Sequence, residues 1–329
     1  MIRLFRKNQQ AFILFTFLYS GIAVFSFYLA HPYTQLLASP FRMPFISGFI
    51  RNSGINQHTY LLLALATILL LLIISFYVTR IAINFLIISL RSQFPAIFFL
   101  SISSFAFHQE IFSGAIVSSL LLLICIDRLF ESVNQKGRSY RFLDSGILLG
   151  IAGLFYFNIL FLFPFFLVTQ MLLRPPSWRE LLFVFLGIFL PFLYIFSVYF
   201  LQDIPFDKTW DTIFDWVFLR RMLDTNKYLL AGIGFYIVLI LLTSIYTIRK
   251  FTTDKIIIRK YYQLLFFLFL NLVTIFLLIP SAGMELFYLF AIPASIPLSI
   301  YFTGCRNNFF NQLLFIVSLS IPIALNLLY

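Results

Sequence analysis

Charged side chains are scarce in this chain: Asp, Glu, Lys and Arg together make up 11% of its 329 residues. A soluble globular domain carries roughly 25%, so water cannot be the main solvent of this protein. The chain also lacks a phosphate-binding glycine loop, an HExxH pair, a CxxC pair and a nucleophile elbow, which disfavours the soluble enzyme classes that those motifs define. Cysteine is limited to Cys125 and Cys305, and two isolated thiols indicate no disulfide or metal framework.

Apolar sequence fills the chain instead, since 61% of the residues are hydrophobic and 20% are aromatic. A helix that crosses the hydrocarbon core of a bilayer needs about 20 apolar residues. The runs predict an all-α, polytopic integral membrane protein with one transmembrane domain over residues 1–329. We expect ten or eleven membrane segments: 11–29, 59–79, 93–106, 111–126, 145–156 with 159–173, 180–200, 228–248, 262–279, 284–303 and 309–328.

The basic residues predict the orientation, because loops rich in Lys and Arg resist translocation. The segment 11–29 follows Arg3, Arg6 and Lys7 and lacks the small-residue exit of a cleaved signal, so we interpret it as a retained signal anchor. With a cytoplasmic N-terminus, 17 of the 23 Lys and Arg residues fall in inner loops and six in outer loops. The net charge of +11 is therefore explained by membrane topology, and no nucleic-acid partner is expected. Both cysteines fall at the inner face, where thiols stay reduced.

Residues 145–173 decide this topology. If they formed one tilted helix, every later loop would change sides, and the five basic residues of RKFTTDKIIIRK would lie outside, against the charge rule. Asn158 is unfavourable within a helix in hydrocarbon, and Pro164 interrupts helical hydrogen bonding. We therefore predict two short helices that meet near Asn158, which raises the number of segments to eleven.

Three segments between the spans have a recognisable character. The outer loop 30–58 is rich in Pro and Gly, which predicts turns and a short interfacial piece. In the outer loop 201–227, apolar residues recur at helical spacing, which predicts an amphipathic helix on the outer surface. Residues 80–92, RIAINFLIISLRS, are too apolar for a free loop, and we expect an in-plane helix on the inner side.

Glu110 stands out among the twelve acids, because SFAFHQEIFSG places it with His108 in a tight outer turn between two apolar segments. A carboxylate and an imidazole beside a low-dielectric wall can act as a general base pair. The alternative is that Glu110 occupies the first turn of the next helix, where the dipole stabilises a negative charge. The acids predicted on the inner side are expected to be solvated partners of basic residues: Asp127, Glu131, Asp144, Glu180 and Asp254.

Acidic and basic residues follow each other in the second outer loop. Asp207, Asp211 and Asp215 are spaced four residues apart, so they share one helical face and either hold a divalent cation or form the wet face of an amphipathic helix. Arg220 and Arg221 come next. They could bind a lipid-linked phosphate at the outer leaflet, or make ordinary headgroup contacts.

Residues 110–173 resemble the middle of the GT-C superfamily of membrane glycosyltransferases. The similar elements are a span that ends in a basic loop, then GIAGLFYFN, an apolar run with Pro164, and RPP. The resemblance implies two short helices that turn back before a further span. The whole chain also resembles a family of Bacteroidota inner-membrane proteins, which implies the inner membrane of a bacterium as its location.

The resemblance implies transfer of a sugar from a polyprenyl-phosphate donor at the outer leaflet, in envelope glycan or glycolipid assembly. In that superfamily an acid in the first outer loop acts as base or metal ligand, yet residues 30–58 contain no Asp or Glu. Glu110 in the second outer loop then remains as the base or metal-binding carboxylate, with His108 as its neighbour and Arg220 and Arg221 as donor-phosphate contacts. The alternatives are a non-catalytic structural or lipid-binding subunit and, since charges in mid-span are few, less favourably a transporter.

Overall fold

The computed structural model describes residues 9–30, 57–88, 92–108, 112–132, 140–173, 178–201, 227–251, 255–305 and 308–328. Within these ranges the chain forms helices and turns and no strand. Eleven α-helices follow one another: α1 (Gln9–Ala30), α2 (Gln57–Asn84), α3 (Phe94–Ser103), α4 (Gly114–Glu131), α5 (Tyr140–Phe155), α6 (Phe163–Leu173), α7 (Trp178–Leu201), α8 (Lys227–Phe251), α9 (Ile256–Leu278), α10 (Phe287–Gly304) and α11 (Phe309–Leu328). Three 3-10 helices lie beside them: the first (Ser104–His108), the second (Phe157–Leu162) and the third (Met284–Leu286).

The helices have the length and surface of membrane spans. Six segments of the described chain are long and apolar enough to cross a bilayer: Leu61–Asn84, Trp178–Leu201, Lys227–Arg249, Ile256–Leu278, Met284–Gly304 and Phe309–Leu327. Their outward faces consist of Leu, Ile and Phe; on α7, for example, Phe185, Phe189 and Leu193 are about half exposed. Because water does not solvate so continuous an apolar surface, the fold is that of an all-α polytopic membrane protein, as the sequence predicts.

Hydrogen bonds between distant segments sort the helix termini into two ends. At one end, which we call the charged end, the Tyr77 hydroxyl of α2 donates to the Asp127 carboxylate of α4 at 2.7 Å. At the other, the three-turn end, the hydroxyl of Ser281 between α9 and α10 donates to the side-chain oxygen of Asn158 at 3.1 Å. The first and third 3-10 helices pack on each other, so all three 3-10 helices lie at the three-turn end.

Residues 145–173 form two short helices that are separated by a 3-10 helix, which confirms the prediction of a break near Asn158. The helix α5 stops at Phe155, the second 3-10 helix carries Asn158, and α6 starts at Phe163. Pro164 lies in the first turn of α6. Backbone N–H groups in a first turn have no acceptor within the helix, so proline removes no helical hydrogen bond there. The chain returns in this segment, because α5 and α7 on either side of it run in the same direction.

Glycines allow α5 and α7 to make the tightest contact of this region. A Cβ atom on Gly146 would lie 2.5 Å from the carbonyl oxygen of Val184, and one on Gly150 would lie 2.6 Å from that of Ile188. The later glycine of α5 meets the later residue of α7, so α5 and α7 run parallel. The GxxxG spacing of Gly146 and Gly150 is typical of such close pairs in membranes.

The connection between α2 and α3 differs from the in-plane helix predicted over residues 80–92. Residues 80–84 are the last turn of α2, and Leu86 follows with a φ of 55°. The Leu86 N–H bonds to the carbonyl of Ile83 and the Ile87 N–H to that of Ala82, which is the Schellman pattern of a helix end. Ile87 and Ile88 are apolar because they are buried against the protein, and not because they lie in the membrane surface. Residues 89–91 lie outside the described ranges.

Candidate functional site

The structure describes only a small part of the predicted site. His108 ends the first 3-10 helix at the three-turn end, and its side chain is outside the described set, as is Glu110. The second outer loop, over residues 202–226, is also outside it. The proposed metal-binding and phosphate-binding residues are therefore not located: Asp207, Asp211, Asp215, Arg220 and Arg221. The same holds for residues 31–56 of the first outer loop.

The start of α4 bears on the alternative role of Glu110. Ser113 is the N-cap of α4, and its hydroxyl accepts a hydrogen bond from the backbone N–H of Ala115 at 3.2 Å. The helix therefore begins at Gly114, four residues after Glu110. The N-cap of this helix is thus provided by Ser113, and Glu110 itself lies outside the described residues.

The start of α4 is recessed relative to the start of α2. The rings of Phe85, Phe130 and Tyr261 pack within 5.2 Å of one another at the charged end, which aligns α2 and α4 there. The helices have 28 and 18 residues, or about 42 and 27 Å at 1.5 Å per residue. The start of α4 therefore lies roughly 15 Å below the start of α2, within the depth of the longer helices.

A buried polar network lies at the second 3-10 helix. The side-chain amide of Asn158 donates to the hydroxyl of Tyr156 at 3.3 Å, and its oxygen accepts from Ser281 at 3.1 Å. All three residues are at most 5% exposed. The unfavourable polarity of Asn158 in hydrocarbon is thus offset by partners from two different backbone breaks, where protein covers the irregular chain.

Glu285 is the acid that the sequence analysis missed as a site residue. It lies in the third 3-10 helix, it is 1% exposed, and this helix packs on the first 3-10 helix and on α4. The helix that ends at His108 and the helix that carries Glu285 are thus neighbours. One signal for it exists in the sequence: LIPSAGMELF contains a single acid in a short turn between two apolar spans, and such acids are functional candidates by default.

The acids of the charged end agree only in part with the prediction that they are solvated partners of basic residues. Glu131 accepts a hydrogen bond from Arg141 at 2.5 Å and also lies 3.6 Å from Arg128. Glu180, predicted to be solvated, is only 4% exposed at the start of α7. Asp144 is exposed as expected, and Asp254 lies outside the described residues. Glu180 is buried because α7 begins against the rest of the bundle, which its position in the sequence did not reveal.

An apolar groove of about 440 Å³ lies between α5 and α7. Its walls are Ile147, Ile151 and Leu154 of α5 and Leu190, Pro191, Tyr194 and Ile195 of α7. Leu190 and Tyr194 are among the exposed residues of α7, so the groove opens toward the membrane. Its wall on α5 runs from Ile147 to Leu154, about 10 Å along the helix, and ends toward the three-turn end.

The described residues contain no group of three or more His, Cys, Asp or Glu side chains that could hold a metal ion. The divalent metal that the sequence predictions allow therefore has no ligand set among the described residues.

The fold and this end of the bundle define a polytopic α-helical membrane protein whose backbone breaks and buried polar groups meet at one face. The chain belongs to a family of unknown function (DUF6427), whose model matches residues 40–325. No curated protein and no solved structure matches the chain.

Proposed function

We propose that this protein is a GT-C-like membrane glycosyltransferase. It transfers a sugar from a polyprenyl-phosphate donor at the outer leaflet of a bacterial inner membrane, in the assembly of an envelope glycan or glycolipid. The observation that carries the proposal is the three-turn end, where Asn158 and Ser281 are buried and bonded to each other. The buried Glu285 lies there too, in a 3-10 helix that packs on the one ending at His108. Polar groups are expensive at this depth, and they mark substrate sites in membrane proteins.

The roles follow from the chemistry of the residue types. Glu110 acts as the base or metal-binding carboxylate, with His108 as its neighbour, and Arg220 and Arg221 contact the donor phosphate as bidentate cations do. The groove between α5 and α7 supports a lipid-linked donor, because its walls are apolar and open to the membrane. The order of α5, the second 3-10 helix, α6 and α7 also agrees with the paired short helices that the GT-C resemblance implies.

The first test is mass spectrometry of the lipids that co-purify with the protein, followed by incubation with a polyprenyl-phosphate sugar and membrane acceptors. The wild type is expected to retain polyprenyl phosphate and to transfer sugar. Glu110→Gln should lose transfer by 10²-fold or more, as for loss of a general base. Wild-type protein that is folded yet neither binds the lipid nor transfers sugar, together with a normal glycan profile in a deletion strain, would contradict the proposal.

One observation favours a second candidate, a non-catalytic subunit that binds lipid or stabilises a membrane complex. The first outer loop over residues 30–58 has no Asp or Glu, although the superfamily places an acid there. This candidate predicts that polyprenyl phosphate or another lipid co-purifies with the protein while no sugar is transferred, and that Glu110→Gln behaves as the wild type in cells.

A further inference from the structure

The last helix, α11, contains a proline that removes one of the helix's own hydrogen bonds. Pro322 lies in the interior of α11 and is buried. Proline has no backbone N–H, and in an α-helix that N–H would donate to the carbonyl of the residue four positions earlier, which is Ser318. The carbonyl of Ser318 has therefore lost its usual helical donor at a residue that is 0% exposed. An unpaired carbonyl is costly within a membrane, because hydrocarbon offers no hydrogen bond in its place.

Tyr236 of α8 supplies a donor for this carbonyl. Its hydroxyl donates to the backbone oxygen of Ser318, and its side chain is 3% exposed. Backbone groups that a proline frees in a membrane helix are commonly paired by a neighbouring helix. Gly232, one turn earlier in α8, lets the two helices meet at this place, because a Cβ atom on it would lie 2.6 Å from the Cδ1 atom of Leu325. The close approach of α8 thus coincides with the turn that contains Pro322.

The part of α11 beyond Pro322 is tied to the three-turn end. One turn after the proline, the Asn326 amide donates to the carbonyl of Ala23 in α1 at 3.3 Å. The ring of Tyr236 packs edge-on against Phe105 of the first 3-10 helix, with the ring centroids 5.2 Å apart, and α11 itself contacts that 3-10 helix. One side chain, Tyr236, therefore joins the proline site of α11 to the first 3-10 helix.

We propose that Pro322 makes α11 a hinge and that the hydroxyl of Tyr236 latches it. With the hydrogen bond formed, the part of α11 beyond Pro322 is held against α1 and the first 3-10 helix. Without the hydroxyl, the Ser318 carbonyl lacks both donors, and α11 bends more easily at the proline, where one helical hydrogen bond is already missing. This latch is independent of the sugar-transfer function, which can fail without affecting it.

Tyr19 of α1 provides a matched control. It is also 3% exposed, and its hydroxyl donates to the carbonyl of Leu319, the next residue of α11, at 3.1 Å. The helical donor for the Leu319 carbonyl is the N–H of Ile323, which the proline does not remove. Tyr19→Phe and Tyr236→Phe therefore each delete one buried hydroxyl, but only Tyr236→Phe acts on the carbonyl whose helical donor is missing.

Hydrogen–deuterium exchange of the purified full-length protein in detergent, measured by mass spectrometry, tests the latch. We expect Tyr236→Phe to speed the exchange of the amides in residues 323–328 by about tenfold or more, because a buried acceptor loses its partner. The exchange of residues 309–317, before the proline, should stay at the wild-type rate. In the background of Pro322→Ala the same change should have less than about a twofold effect, because the restored N–H pairs the Ser318 carbonyl. Tyr19→Phe should have equal effects in both backgrounds.

Two results would overturn the latch. In the first, Tyr236→Phe has the same effect with and without Pro322→Ala, so that the hydroxyl does not replace the N–H that proline lacks. In the second, exchange rises equally on both sides of Pro322, which indicates general destabilisation and no hinge. If Tyr236→Phe alone is too unstable to purify, the double variant decides: it should fold with near wild-type exchange, and its failure to fold would also overturn the proposal.

Discussion

Leu86 has a backbone conformation that is unfavourable for a residue with a side chain. It occupies the left-handed position of a Schellman motif with a φ of 55°, a position where glycine is usual because it has no Cβ. Its side chain is 62% exposed, so little packing compensates for the backbone cost. The turn is held by its neighbours, since the Tyr262 hydroxyl donates to the Ile87 carbonyl at 3.0 Å.

Leu86→Gly is expected to raise the free energy of unfolding by about 1 kcal/mol, because the left-handed conformation costs an L-residue roughly 1–2 kcal/mol. Thermal unfolding of the purified protein in detergent measures this. The matched control is Leu65→Gly, in the interior of α2 and also exposed, which should lower stability by about 1 kcal/mol. If both variants destabilise equally, Leu86 is not strained.

Glu285 and Asn158 illustrate what residue-level reasoning could and could not reach. Asn158 predicts a helix break, because a polar amide is unfavourable in the middle of a helix that faces hydrocarbon. That its oxygen would pair with Ser281, 123 positions away, could not be predicted, since nothing local to either residue specifies the partner. The burial of Glu285 was missed for the same reason.

At the scale of elements, the parallel helices α5 and α7 can approach closely because glycines lie where their backbones meet. A Cβ on Gly187 would lie 2.6 Å from the carbonyl oxygen of Leu143, so both helices use glycine where their backbones meet. Close backbone approach gives dispersion contact over a long line, which is the main attraction between helices in lipid. The groove that faces the membrane lies beside this contact.

Gly146→Ala is expected to lower the free energy of unfolding by about 1–3 kcal/mol, as overpacking of a close contact does. The added methyl would meet backbone atoms of Val184, which cannot rotate away. Gly234→Ala is the control, because a Cβ there meets nothing within 4 Å; it should be neutral or stabilising, since alanine is the better helix former. Equal thermal midpoints for the two variants would contradict the tight α5–α7 contact.

At the scale of the whole molecule, the eleven α-helices of the described residues alternate in direction between the two ends. The Asn326 amide of α11 donates to the Ala23 carbonyl of α1 at 3.3 Å, and both helices contact the first 3-10 helix at the three-turn end. In the centre, α10 packs against α3, α4, α8 and α9. In the apolar stretch of Met284–Gly304, 78% of the residues are buried inside the protein. Such an arrangement buries polar turns at one end and leaves apolar faces for lipid.

Cysteine labelling tests the orientation of this bundle. Lys227 starts α8 at the three-turn end and Asn84 ends α2 at the charged end, and both are exposed. With the N-terminus in the cytoplasm, Lys227→Cys should react with a membrane-impermeant maleimide added to spheroplasts, and Asn84→Cys only after permeabilisation. The wild type is the control, because Cys125 and Cys305 are buried. The opposite labelling pattern would reverse the topology, and labelling of both positions from one side would contradict the alternation.

The sequence by itself determined the class of this protein, the positions of its spans and the break in residues 145–173. Those properties depend on local composition and on the count of charges in the loops, because lipid solvates apolar runs and membranes resist the passage of basic loops. Only the tertiary structure decided that residues 85–88 form a turn with Ile87 and Ile88 buried, that Ser113 caps α4, and that the helix of Glu285 packs on the one ending at His108. These depend on which helices pack together, and helix packing in lipid is decided by the shapes of facing surfaces rather than by the apolar pattern that all of the spans share.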